Sequence, residues 1–510
     1  MTIKTSSAHA HHLSKPLAVV FATLLLSGCV VGPEYERPNL FVPTTWTNTS
    51  GREMLKPAEL HQWWTKLNDP LLTSYVERAI GGNLDVAAAK ARVREARASL
   101  RQETGALFPS LDSASSLKRT RTPATSSATG QADVFTQYQS GFDASWELDL
   151  FGGKQRTVEV ARYGLDAAQE DLRNTMLVLI GDVASNYSQA RASQARLALA
   201  RRTAKSQRET AALTRVKLEA GTAKSGDVAN AEALAASTEA DIHTYEIART
   251  AAVHRLGVLL GQPPSVLSAQ LSKHAPIPRP KFPLPVGVPA ETLLVRPDVR
   301  MAELRLAQAT ARIGAAEAAR YPSVSLTGNI ATNAMDASSF AKASTIAWAF
   351  GPSLTVPIFR GGQLAAGVEA AKARRDQSFA AYQSSVLTAM EDIENAIVSL
   401  TQERARSGKL ATAASSYRTA ANSARSEFDA GTADYLSLLD TQRALYRAEA
   451  ALIDSQLAVT TSYIALNKAL GGGWSGAVDT AKPLVIDLES GPRLRIARQP
   501  VVANATNSNE

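Results

Sequence analysis

The chain states one plan twice, and this limits what it can fold into more than any single motif does. Asn83-Leu84-Asp85-Val86 opens an Ala/Arg-rich helical stretch that ends at Phe108-Pro109-Ser110-Leu111. Arg296-Pro297-Asp298-Val299 opens a second, 213 positions on, ending at Tyr321-Pro322-Ser323-Val324. Glu219-Ala220-Gly221-Thr222-Ala223 matches Asp429-Ala430-Gly431-Thr432-Ala433 at an offset of 210, and Leu260-Gly261 matches Leu470-Gly471 at the same offset. The spacing predicts repeat 1 over 83–261 and repeat 2 over 298–470, each a helix, a β-hairpin and a long helical hairpin. A segment at 29–82, a connector at 262–297 and a tail at 471–510 flank them. Prolines from Pro263 to Pro297 exclude a continuous helix in the connector. Of the 510 residues 45% are apolar but only 6% aromatic, and much of the apolar share is alanine. That mixture builds no thick core; it suits helices that approach closely.

Within each copy the hydrophobic period changes from two to helical. Tyr138, Ser140, Phe142, Ala144, Trp146, Leu148 and Leu150 alternate with Gln139, Gly141, Asp143, Ser145, Glu147 and Asp149. In the second copy Ile346, Trp348, Phe350, Leu354, Val356 and Ile358 alternate with Ala347, Ala349, Gly351, Ser353 and Thr355. Period two with aromatics on one side describes a strand between two environments. Weaker partners at 110–120 and 323–330, joined through polar segments near 121–136 and 331–344, complete two hairpins. Tyr138, Phe142, Trp146, Leu148, Ile346, Trp348, Phe350 and Leu354 are the residues expected to face a membrane. The alternative is a soluble hairpin laid on a core, for which an Ala-rich chain offers little. Four strands cannot close a barrel and open edges cannot sit in lipid, so several protomers must share one. Three copies would give twelve strands, an even number of ordinary size.

The helices are equally constrained. From Lys154 to Glu219 there is no proline, and a helix of that length spans ~100 Å at ~1.5 Å per residue. After the Gly-Thr turns, Leu438, Thr441, Leu445, Ala448, Leu452, Ser455, Val459, Ser462, Leu466 and Ala469 follow steps of three and four. Val228, Ala231, Ala235, Thr238, Ile242, Tyr245, Arg249, Ala252, Leu256 and Leu259 do the same, with Arg249 the one misfit. These are heptad seams with small residues, as when helices lie side by side around a wide tube. A coiled-coil rod without a pore would explain the helices and leave the strands unexplained. The turns lie furthest from the strands, which makes Gly221, Thr222, Ser225, Asp227, Gly431, Thr432 and Ala433 candidate tips for an end-on partner. Glycine then threonine suits a left-handed helix stop followed by a new N-cap.

Lys4 and Lys15 precede an apolar run from Leu17 to Leu26, then Ser27, Gly28 and Cys29. Residues 1–28 read as a secretory signal too short to span a bilayer. Leu26-Ser27-Gly28-Cys29 resembles a bacterial lipobox, which implies S-diacylglycerol and N-palmitoyl groups on Cys29. Several acyl chains anchor durably; the alternative is a signal cut elsewhere that leaves a free thiol. Val30 and Val31, in place of an aspartate, imply sorting to the outer membrane in that class. A single cysteine allows no internal disulfide and no thiolate metal site. The net charge of +8 is thinly spread and forms no compact cluster for nucleic acid. His243 and His254, eleven residues apart, stand roughly 16 Å from each other on one helix, too far to share a metal. Gly152-Gly153-Lys154 and Gly471-Gly472-Gly473 lack phosphate-loop spacing. No nucleophile pairs with a base, so neither an enzyme nor a metal or cofactor is expected beyond the lipid.

With these features together the sequence resembles the TolC-like outer-membrane factors, in their NodT-type lipoprotein branch. The resemblance rests on Cys29 with Gly32-Pro33-Glu34-Tyr35, on Trp63-Trp64 with Asp69-Pro70, and on Leu293-Leu294-Val295-Arg296-Pro297-Asp298-Val299-Arg300 with Ala302-Glu303. It covers Cys29 to about Trp474. It implies an α+β membrane protein: a homotrimer sharing one twelve-stranded outer-membrane barrel, a long periplasmic helical barrel, and a mixed equatorial belt from about 40–82, 262–297 and the residues after 470. The implied role is the exit duct of a tripartite efflux pump for small toxic or amphiphilic compounds. Its implied partners are a periplasmic adaptor and an inner-membrane transporter of the resistance-nodulation-division type. A duct for type I protein secretion shares the same architecture. The resemblance places Leu436 and Asp440 at the inner constriction, where three carboxylates near an axis would favour cations. Gly226 and Asn230 stand at the matching positions of the first copy, so the gate would belong to the second hairpin. Where many relatives have two arginines before the proline, this chain has Val295-Arg296-Pro297, which questions one local belt contact.

Overall fold

The computed structural model describes residues 30–40, 46, 60–126, 130–280, 293, 296–474 and 476–485. Capping chemistry sets its first boundaries. Asp69 accepts from the N–H groups of Leu71 and Leu72 at 3.0 and 3.1 Å, with Pro70 at the first helical position, and starts α1 (Pro70–Gly82). Asn83 ends that helix and caps the next, α2 (Leu84–Gly105), accepting from Asp85 and Val86. Strands β1 (Ser110–Thr122) and β2 (Asp133–Leu148) follow, then α3 (Gly153–Glu219) and α4 (Ser225–Leu259). After short 3-10 turns the order is repeated: α5 (Pro297–Ala318), β3 (Ser323–Ala334), β4 (Ile346–Thr355), α6 (Gln363–Asp429) and α7 (Tyr435–Ala469). The matched helices have equal lengths: 22 residues in α2 and α5, 67 in α3 and α6, 35 in α4 and α7.

The helices form a wall one layer thick. α3 packs on α4, α5, α2 and α7, and α6 on α5 and α7. The lateral order is therefore α4, α3, α7, α6 in the half that holds the turns, and α2, α3, α5, α6 in the half that joins the sheet. The short helices are laid end to end beside the long ones. Asn83 Nδ2 donates to the Leu259 carbonyl at 3.0 Å, so α2 starts where α4 stops. Arg296 repeats the device, donating from Nη1 to the Ala469 carbonyl at 2.9 Å and from Nη2 to Asp298 and Asp392 at 2.7 and 3.1 Å. Arg296, the one arginine before Pro297, thus ties the start of α5 to the end of α7 and to α6. Every residue of the two heptad seams is buried or half-buried, and Arg249 fits its seam by pairing with Glu246.

The main core gathers around the middle of the wall. Trp63 and Trp64 are buried, edge-on to each other, with Trp63 edge-on to Tyr463 and Trp64 stacked on Trp474. The chain after α4 wraps this region: Arg191 and Gln194 donate to the carbonyls of Lys273 and Leu271, and Thr460 donates to Pro278 at 2.7 Å. Residues 281–292 and 294–295, part of the expected belt, lie outside the described residues.

Candidate functional site

The four strands make one antiparallel sheet in the order β1-β2-β3-β4, so the hairpins of the two halves join through β2 and β3. Their register decides what each face carries. Phe142 stands opposite Ser113 on β1 and Ile330 on β3, and Ile330 opposite Trp348 on β4. Trp146 pairs with Leu326, Leu148 with Val324, and Val324 in turn with Leu354. Because side chains alternate and partners share a face, Tyr138, Phe142, Trp146, Leu148, Ile346, Trp348, Phe350 and Leu354 all lie on the same side. Trp348 and Phe350 stack there at 5.6 Å and are 68% and 77% exposed. The other side carries Asp112, Ser116 and Lys118 from β1, Gln139, Asp143 and Glu147 from β2, Asn329 and Asn333 from β3, and Ser353 from β4. β1 and β4 keep their outer edges unpaired.

Aromatic residues mark the junctions of strands with helices. Phe108 precedes β1, Phe151 follows β2, Tyr321 precedes β3 and Phe359 follows β4; Phe151 and Tyr321 stack at 4.7 Å. Residues 30–40 reach this level. The Val31 N–H donates to the Phe151 carbonyl at 3.1 Å, and a Cβ on Gly152 would come within 2.7 Å of Val30. Arg156, almost fully buried, donates to the Val31 and Gly32 carbonyls and to Glu34, whose carboxyl it holds below its ordinary pKa. Cys29, the expected lipid site, lies one residue outside the described residues.

The opposite end is built by two turns. Gly221 and Gly431, at φ 74° and 80°, take the left-handed conformation that ends α3 and α6. The N–H groups of Thr222 and Thr432 donate back to the Lys217 and Glu427 carbonyls at 2.8 and 2.9 Å. Their hydroxyls donate to the same carbonyls at 3.0 and 3.1 Å. The threonines therefore finish the preceding helices and do not cap the following ones, as the Gly-Thr pattern suggested. Capping falls to Asp227, which accepts from the Lys224 N–H at 3.0 Å, and to Asp434, which accepts from Ser437. Gly221, Thr222, Ser225, Gly431 and Thr432 are exposed; Asp227 and Ala433 are half-buried. Beneath them Phe428 meets Tyr435 edge-on, and Lys217 Nζ sits 3.8 Å over the Phe428 ring.

Leu436 and Asp440 are one turn apart on α7 and share an exposed face; Leu436 is 60% exposed, unusual for leucine. Gly226 and Asn230, their counterparts, are exposed too. The residues that tie the two hairpins together were not singled out from the sequence. Arg425 and Gln442 both donate to the Thr210 hydroxyl, at 2.7 and 3.2 Å. Arg196 reaches Asp454 at 2.6 Å, and the Tyr446 phenol donates to Asp241 at 3.0 Å. Only the position of such groups beside the heptad seams could have flagged them. Among the described residues no group of acids, histidines or cysteines is arranged to hold a metal, and no helix is long and apolar enough to cross a membrane.

A sheet with one apolar and one polar face, continued by helices of about 100 Å, is the build of an outer-membrane channel. The chain belongs to the outer membrane efflux protein family, whose model matches residues 75–262 and 288–472, once in each half. Nodulation protein T of Rhizobium leguminosarum bv. trifolii is 35% identical over 470 residues, covering 89% of this chain and 97% of its own. The toluene efflux pump outer membrane protein TtgI of Pseudomonas putida is 34% identical over 468 residues, covering 89% and 98%. Among solved structures, the outer-membrane channel OprN superposes with a TM-score of 0.81 at 33% identity, covering 88% of this chain and all of its own. The chain is an outer-membrane exit duct for efflux, in a family of transport proteins.

Proposed function

We propose that three copies of the chain close one twelve-stranded barrel, continued into the periplasm by a twelve-helix tube, and that this tube passively conducts small toxic or amphiphilic compounds. The observation that carries this is the four-stranded sheet: one of its faces is mainly apolar and exposed, yet both edges are unpaired, which lipid does not tolerate. Pairing β1 of one copy with β4 of the next removes every edge. The apolar face, with Trp348 and Phe350 foremost, then meets lipid and the polar face lines the lumen. Phe108, Phe151, Tyr321 and Phe359 form the periplasmic aromatic girdle, and the hydrogen bond from the Val31 N–H to the Phe151 carbonyl supports a lipid anchor at Cys29 whose acyl chains enter the inner leaflet near that level. A periplasmic adaptor docks at the exposed tips, and a proton-driven inner-membrane transporter supplies the compounds. Asp440 and Leu436 narrow the mouth.

The names of relatives that expel solvents and toluene favour small apolar cargo over protein. Deleting the gene and exposing cells to a panel of solvents, dyes and antibiotics tests this. Sensitivity of the deletion strain, with resistance restored by the intact gene, is expected. Unchanged resistance together with a lost secreted protein would replace it with protein secretion.

A further inference from the structure

Resting on the barrel reading above, one feature of β1 is not used by efflux. Leu111, Ser113, Ser115 and Leu117 lie on the apolar face, and the same parity continues into Arg119 and Arg121. Leu117 pairs with Tyr138, Arg119 with Thr136 and Arg121 with Val134. Both arginines are exposed, and neither side chain has a hydrogen bond or ion pair among the described residues. No carboxylate shares their side of this strand pair beyond Tyr138: Asp133 pairs with Thr122, on the lumenal side.

Height identifies what they meet. At about 3.4 Å per residue and a tilt of about 40°, Arg119 and Arg121 stand about 23 and 29 Å above Ser110 along the membrane normal. The apolar band of such barrels is about 25 Å tall, so the two guanidinium groups straddle its upper boundary on the lipid side. An arginine at mid-bilayer on this face would be strongly unfavourable, whereas at the boundary it costs little. It gains if an anion is there, because guanidinium pairs phosphate through two parallel hydrogen bonds.

We infer that Arg119 and Arg121 bind the phosphate groups of a phosphorylated glycolipid in the outer leaflet, so that each protomer carries one anionic-lipid site on the outer rim of its barrel. The site is a feature of the lipid boundary and plays no part in conduction.

The test titrates the purified full-length protein with bisphosphorylated lipid A and with chemically dephosphorylated lipid A, reading bound lipid by native mass spectrometry. Wild type should retain the phosphorylated form at a concentration about tenfold or more below the dephosphorylated one. R119S/R121S should lose that preference, R119K/R121K should keep most of it, and K118S, on the lumenal side, should match wild type. Equal binding of the two lipids by wild type overturns the site, as does a preference that survives in R119S/R121S or disappears in K118S. Insertion and channel conductance of the same wild-type sample separate the two claims. A protein that inserts and conducts without lipid preference refutes this site alone; one that neither inserts nor conducts refutes the barrel.

Discussion

Arg296 is the residue on which most of the second joint depends. Its buried guanidinium holds the Ala469 carbonyl and the Asp298 and Asp392 carboxylates together. Burial works against the Asp298 carboxylate, but the guanidinium and the Val299 N–H outweigh it and hold the carboxyl below its ordinary pKa. A depressed folded pKa contributes stability that is present above the unfolded value of about 3.9 and disappears as pH falls through the folded value. Asp298→Asn should therefore lower the melting temperature at pH 7, and the gap from wild type should shrink toward pH 3. A gap that is constant with pH would show that the charge is not what matters. Arg296→Met should cost about 2–3 kcal/mol, since it breaks charge-assisted bonds and orphans a buried carbonyl. For the proposed gate, Asp440→Ala should raise single-channel conductance and reduce cation preference; unchanged current and selectivity would remove Asp440 from that role. The positions of these residues were legible only in part. Leu436 and Asp440 followed from resemblance, whereas the joints made by Asn83 and Arg296 link chain ends far apart in sequence, which no local pattern reveals.

Elements were the most legible level, because two periods of hydrophobicity belong to two geometries. The strand expected from Tyr138 begins at Asp133, and the one expected to run to Ile358 ends at Thr355, just before Pro357. The partner strands run to Thr122 and Ala334, longer than their weak alternation suggested, since pairing to a stronger neighbour extends a strand beyond its own apolar signal. Thr222 and Thr432 were misread because a hydroxyl beside a left-handed glycine can close the helix behind it as well as cap the one ahead. The two faces of the sheet make opposite predictions. If the apolar face meets lipid as proposed, Phe350→Lys near its middle should cost about 2–4 kcal/mol and sharply reduce assembled protein in the outer membrane. Ser353→Lys on the other face should assemble normally. Equal tolerance of both changes would mean that neither face meets lipid. At the far end, cysteines placed at Thr222 or Thr432 should cross-link the adaptor, while cross-links confined to mid-helix positions would move the docking site up the wall.

At the scale of the whole molecule, a chain this long would ordinarily bury its apolar residues in several globular cores. Here alanine-rich helices form a wall a single layer deep, with one aromatic core at its middle and a sheet at one end. Such a wall is stable only if its sides are covered, and copies of itself arranged in a ring cover them without an open edge. Nothing in one repeat of the sequence states how many copies close the ring; unpaired edges require several copies, and the number three is part of the proposal. The most direct measurement is the current through the purified full-length protein in planar bilayers, made on a sample whose mass is determined in parallel. Three chains per particle and discrete, ohmic single-channel steps are predicted. A particle of three chains that inserts yet passes no current, or a conducting particle of any other number, would refute the three-fold duct.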